Sequence, residues 1–193
     1  MSEQIDGRAR RYAHRRPEVL EAAAEHALEH GLAGLSLRQV AKSVGVSHAT
    51  LVHHFATKDQ LVAEIVDLVL TRNFSLPDLD PDEPDPLRAI WARATSERGL
   101  RQLRLYAEIA SVAMRDNPTL RAAVARSNRQ RRDLLAVGLV RRGCPPAEAD
   151  ARATLLLGLL RGLVTDLLVS GDKERVDAAF ELVAGELAER FPG

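Results

Sequence analysis

Cysteine is nearly missing from this chain. Cys144 stands alone, which excludes an internal disulfide framework and fits a reducing compartment. Net charge is missing too: 27 Lys and Arg balance 27 Asp and Glu, so the whole-chain charge announces no polyanionic partner. No run of about 18 uncharged apolar residues occurs, the length a membrane span needs. The N-terminus is charged where a signal peptide needs an apolar run, and a soluble cytoplasmic protein without a membrane partner is expected. There is no glycine-rich phosphate loop, no nucleophile elbow and no paired metal motif. The chain is therefore expected not to be an enzyme, with no catalytic residue, metal or cofactor assigned.

Alternation of β-branched and polar residues is absent as well, while alanine, leucine, arginine and glutamate dominate most segments of the 193 residues. The expectation is an all-α protein of about nine helices, with 46% apolar content to build its core. Charge is uneven along it. Gly7 to Arg16 holds Arg8, Arg10, Arg11, Arg15 and Arg16 and no acid, whereas Asp78 to Asp85 is acidic and has no base.

Pro17 suits a first helical turn, and Leu20, Ala23, Ala24, Ala27 and Leu28 recur at helical spacing until Gly31. Ser36 with Gln39 three residues on has the pattern of a capping box and starts a short helix ended by Gly45. Ser47 opens a second through Phe55, with Leu51 and Phe55 on its buried side. Two short helices about one glycine make a helix-turn-helix, whose second helix needs small polar groups at its N-terminal half to meet base edges. Ser47, His48, Ala49, Thr50, His53 and His54 supply them, and the helix-start amides near Ser36 and Ser47 suit phosphate oxygens. The arginines of Gly7 to Arg16 form either a solvated tail or an arm for a narrow minor groove. Titration of the histidines would make DNA affinity pH-sensitive. His26 and His30 share a helix face, but no cysteine and few carboxylates stand near to complete a metal site.

The run Gly31-Leu32-Ala33-Gly34-Leu35-Ser36-Leu37-Arg38-Gln39-Val40-Ala41, followed by Gly45-Val46-Ser47, Leu51, His54-Phe55 and Lys58-Asp59, resembles the tetracycline-repressor (TetR) family in order and spacing. The resemblance implies an N-terminal three-helix DNA-binding domain followed by a C-terminal helical ligand-binding and dimerisation domain. It also implies that the helix from Ser47 reads bases and that Lys58 binds a phosphate; Ser36 and Arg38, at the start of the first short helix, are the other expected DNA-binding residues. Val52 departs from it, standing where the family usually has a tyrosine that bonds the DNA backbone.

The expected organisation is a basic arm at 1–16, the helix-turn-helix domain at 17–58, a connecting helix at 59–76, an acidic proline-rich linker at 77–86 and the second domain at 87–193. In that domain the row Leu120, Val124, Ser127 or Asn128, Arg131, Leu135 puts polar groups on an otherwise apolar face, which is costly unless a ligand, water or neighbours meet them. Trp91, Tyr106, Ala110, Met114, Ser127, Asn128 and Arg131 are the expected effector residues. Leu155 to Val169 is apolar nearly all round, so both its sides need cover. Gly158, Gly162 and Leu163, with Val176, Phe180, Val183 and Leu187 on the last helix, are the expected dimer residues. The family's last two helices usually build the dimer, although Arg161-Gly162-Leu163 replaces its common acidic-Gly-Leu triplet.

These readings converge on a sequence-specific transcriptional regulator. It is expected to be a homodimeric repressor on a double-stranded operator, released by a small-molecule effector. The alternatives are a helical adaptor for a protein partner without DNA binding, and a redox-responsive regulator acting through Cys144 in the loop before Pro145-Pro146.

Overall fold

The computed structural model describes residues 3–32, 35–73, 83–115 and 117–190, with side chains described from Arg16 onward apart from those of 70–73. Among these residues there is no strand, and nine helices follow in order: α1 Glu3–His30, α2 Leu37–Ser43, α3 His48–Phe55, α4 Lys58–Asn73, α5 Pro86–Ala94, α6 Glu97–Ala113, α7 Pro118–Arg141, α8 Pro146–Ser170 and α9 Lys173–Arg190. Most boundaries fall where caps and breakers put them. Asp85 Oδ1 accepts the Arg88 N–H at 3.0 Å and Pro86 takes the first turn of α5, and Gly171 ends α8 in the left-handed conformation at φ +70°.

One boundary is corrected. Pro17 lies inside α1 rather than at its start, because the helix reaches back to Glu3 through the segment read as an arm. A proline removes one N–H and crowds the preceding turn, and alanine- and arginine-rich residues on its N-terminal side are good helix formers. The contacts of the arginine side chains at 8–15 lie outside the described residues, as does most of the acidic linker.

The chain divides into two compact units. The first comprises residues 1–69 with 108–124, and the second 70–107 with 125–193. Residues 108–124, expected within the C-terminal domain, thus pack with the N-terminal helices. In the first unit Leu35, Val40, Leu51, Phe55, Leu61, Ile65, Ile109 and Leu120 are each at most 2% exposed. In the second, the Trp91 and Phe180 rings stack with centroids 4.6 Å apart among Leu103, Leu160, Val164, Leu167 and Val176. Helix α8 is long and apolar enough by composition to cross a membrane, but Arg161 and Asp166 interrupt it and it packs along α9 with Ala153, Leu156, Leu160, Val164 and Leu167 buried.

Candidate functional site

The helix-turn-helix is held from both sides. Ser36 Oγ accepts the Gln39 N–H at 3.1 Å and Ser47 Oγ accepts the Thr50 N–H at 3.0 Å, so each short helix has a side-chain cap on donors that lack a helical partner. Gly45 turns between them at φ +69°, a conformation that favours glycine. Leu51 and Phe55 anchor α3 in the core. Its opposite side leaves Ser47, His48, Ala49 and His53 exposed and Thr50 half-buried, its hydroxyl 2.7 Å from that of Ser47. Arg38 and Lys58 are exposed, and the Lys58 ammonium donates to the Leu32 carbonyl at 3.4 Å. Ser36 is half-buried and Val52 is exposed.

His54 differs from the other polar groups of α3. It is half-buried, its Nε2 is buried without a partner, and burial, then His53, then Arg16, hold its pKa below the ordinary histidine value. It is thus a neutral packing group at pH 7 rather than an exposed contact. Arg16 closes the same corner, with its guanidinium 5.1 Å from the Phe55 ring centroid and 2.6 Å from Glu64.

Two contacts that sequence reasoning missed tie the remainder of the first unit together. Glu108 Oε2 accepts the Leu32 N–H at 2.6 Å, and Asn117 donates to Asp59 at 2.9 Å while its Oδ1 accepts the Leu120 N–H. An asparagine before Pro118 is a capping signal, but nothing local marks Glu108.

The expected effector residues separate. Tyr106, Ser127, Asn128 and Arg131 come together, joined by Arg161 of α8, which sequence reasoning did not include. The Tyr106 hydroxyl donates to Asn128 Oδ1 at 2.9 Å, which also accepts from Arg161 Nη2 at 2.7 Å. Arg131 Nη2 donates to Ser127 Oγ at 3.0 Å. Burial lowers the pKa of both guanidinium groups, and the nearby Arg161 charge lowers that of Arg131 further. Trp91 belongs instead to the core, where its indole N–H bonds Asp177 at 2.9 Å. Ala110 and Met114 fall in the first unit, and Met114 is 79% exposed. In the second unit, Leu87, Ile90, Leu134, Leu135, Leu139 and Leu156 contribute to the wall of a cavity of about 210 Å³.

The expected dimer residues also split. Val176 and Phe180 are fully buried within their own chain, so they cannot meet a second one. They were read as one stripe with Val183 and Leu187, yet these two are half-buried, because the spacing of four places residues on a face without saying what that face meets. Gly158 and Gly162 are exposed, Leu163 is half-buried, and Leu155, Val169 and Leu182 add large exposed apolar groups. Cys144 is 2% exposed, which removes the access that a redox-sensing thiol requires.

The family model described as bacterial regulatory proteins of the tetR family matches residues 19–65, the span that carries both short helices and their caps. Over 90% of this chain and 96% of that one, the fold superposes on a transcriptional regulator from Rhodococcus sp. Rha1 at 28% identity and a TM-score of 0.75. Residues 19–65 thus carry a TetR-type helix-turn-helix domain. Among curated proteins, the chain is 30% identical over 112 residues to the HTH-type transcriptional regulator PksA of Bacillus subtilis, 52% of whose length is covered. It is 39% identical over 54 residues to the HTH-type transcriptional repressor KstR2 of Mycolicibacterium smegmatis, with 26% covered. The chain thus spans about half or less of the length of these curated relatives. A multidrug binding protein, EbrR, complexed with proflavin shares the fold at 25% identity and a TM-score of 0.60.

Proposed function

We propose that this chain is a cytoplasmic, homodimeric transcriptional repressor of the TetR family that binds a double-stranded operator and leaves it when a small-molecule effector binds. The observation that carries the reading is α3 itself, capped by Ser47 and anchored by Leu51 and Phe55, with His48, Ala49 and His53 exposed on its opposite side. Such a helix suits base edges in the major groove. Ser36, Arg38, Ser47 and Lys58 are the phosphate-side residues, and Val52 supplies no hydrogen bond there, so Lys58 and the helix-start amides take a larger share. Two copies related by a two-fold axis would place their recognition helices about 34–36 Å apart on a near-palindromic site. Leu155, Gly158, Gly162 and Leu182 supply the exposed small and apolar surface of α8 and α9 for that pairing.

An effector beside Tyr106 acts on α6, the helix that two residues later presents Glu108 to the Leu32 N–H. A conformer that binds effector better and DNA worse shifts the population away from the operator. The ligand-bound EbrR structure supports small-molecule recognition on this fold. The test is binding to a DNA fragment from the protein's own promoter region across a salt series. Lys58→Ala should weaken binding to all fragments and reduce the salt slope by about 1, while His48→Ala should cost about 1–3 kcal/mol and relax sequence preference. No shift of any such fragment at moderate salt would overturn the reading in favour of a protein-partner adaptor.

A further inference from the structure

The polar cluster on Tyr106 has more donors than the protein satisfies. The Arg161 and Arg131 guanidinium carbons lie 4.9 Å and 5.1 Å from the Tyr106 ring centroid, so one ring faces two cations. Asn128 Oδ1 already accepts twice, from Tyr106 and Arg161, which uses both of its lone pairs. Arg161 Nε remains buried and donates to nothing, and so does Nε2 of Gln102, a residue 4% exposed and one turn before Tyr106 on α6. Among the described residues Arg161 hydrogen-bonds no carboxylate. A half-buried cation without an anion and buried donors without acceptors are both costly, and a ring face answers only part of the charge. Acceptor oxygens bearing negative charge would answer these donors.

The surroundings fix the rest of the ligand. The α7 face that carries Arg131 continues one turn on into Leu134, Leu135 and then Gly138, which line the 210 Å³ cavity together with Ile90 of α5 and Leu156 of α8. An apolar cavity of about 150 Å³ is enough to hold benzene. A cationic donor cluster one turn from an apolar cavity matches a molecule with an anionic head and a hydrocarbon body.

We propose that the effector is a small carboxylate with an apolar body, its oxygens accepting from Arg161 Nε and Gln102 Nε2 beside Arg131 and its body filling the Leu135 cavity. This rests on the effector-response reading given above. Guanidinium and carboxylate pair through charge-assisted hydrogen bonds, roughly twice as strong as neutral ones, whereas the matching amide brings one oxygen and no charge.

The experiment is calorimetric titration of the full chain with the straight-chain acids from butanoate to decanoate, benzoate and phenylacetate, each paired with its primary amide. At least one acid is expected to bind about tenfold or more tightly than its amide. Arg161→Met should remove that advantage and leave amide affinity within about twofold, while the ligand-free variant melts close to wild type because a half-buried charge without a carboxylate partner has gone. Gln102→Leu should weaken the same acid several-fold and serves as the independent variant if Arg161→Met does not fold. The carboxylate assignment is overturned if no acid outbinds its amide, or if neither substitution changes the acid's affinity. The same ligands are then added to the protein–promoter complex. Release by the acid supports the proposal; release by amides alone overturns it and leaves the effector-response reading standing. An acid that binds through Arg161 without releasing DNA overturns that reading while the carboxylate site remains.

Discussion

At the scale of single residues, the side chains that matter most are those that answer a local backbone or burial problem from a distance. Helix α1 ends at Gly31, and the next N–H, of Leu32, finds Glu108 across 76 positions of sequence. Pairing of this kind is obligatory for half-buried backbone groups and cannot be seen in either local segment. His54 is the counterpart on the recognition helix. Its lowered pKa means that the folded state binds its proton less readily than the unfolded state, whose histidine titrates near about 6.5. Its contribution to stability is therefore complete above that pH and is lost as pH falls through the folded value. Melting temperature should fall as pH is lowered from 7.5 to 5.5, and the fall should be shallower in His54→Gln; parallel curves for the two proteins would show that His54 is not responsible.

At the scale of elements, the corner between α5 and α6 leaves no room for a side chain at Gly99. A Cβ placed on Gly99 would lie 2.2 Å from the Arg93 carbonyl oxygen and 2.5 Å from that of Ala94, and backbone atoms cannot move aside as side-chain ends do. Gly99→Ala should cost about 1–3 kcal/mol, the usual range for overpacking, and lower the thermal midpoint by several degrees. Gly138, on α7, offers the control, since a Cβ there meets nothing within 4 Å. Gly138→Ala should raise stability by roughly 0.5–1 kcal/mol, the ordinary gain in a helix interior. Equal effects at the two sites would show that the corner is less constrained than its geometry implies. The reason for the glycine at position 99 is not legible in the local sequence, because it lies in carbonyls that only the folded corner brings close.

At the scale of the whole molecule, α8 and α9 decide between self-burial and pairing. Phe180 is fully buried and stacked on Trp91, so Phe180→Ala should cost about 3–5 kcal/mol of stability, as large core truncations do. Leu155 and Leu182 are 71% and 72% exposed. Leu155→Asp with Leu182→Asp should leave stability nearly unchanged and convert the proposed dimer to monomer in sedimentation. Operator affinity should then fall by about 100-fold or more as the second half-site contact is lost. A doubly substituted protein that sediments as wild type would place the dimer surface elsewhere.

The all-α class, most helix boundaries and the helix-turn-helix followed from the sequence alone, because caps, glycine turns and a period of 3.6 act over a few residues. Ser36, Gly45 and Ser47 are such signals, and the structure shows them acting locally. Which face of a regular stripe turns inward is a different question. Val176 and Phe180 share their stripe with Val183 and Leu187, yet the first two are sealed in their own chain. Arg161 and Tyr106, separated by 55 positions, meet only when α6, α7 and α8 pack together around Asn128. Local backbone preferences are written residue by residue, whereas burial and the partners of buried polar groups depend on which helices the folded chain sets side by side.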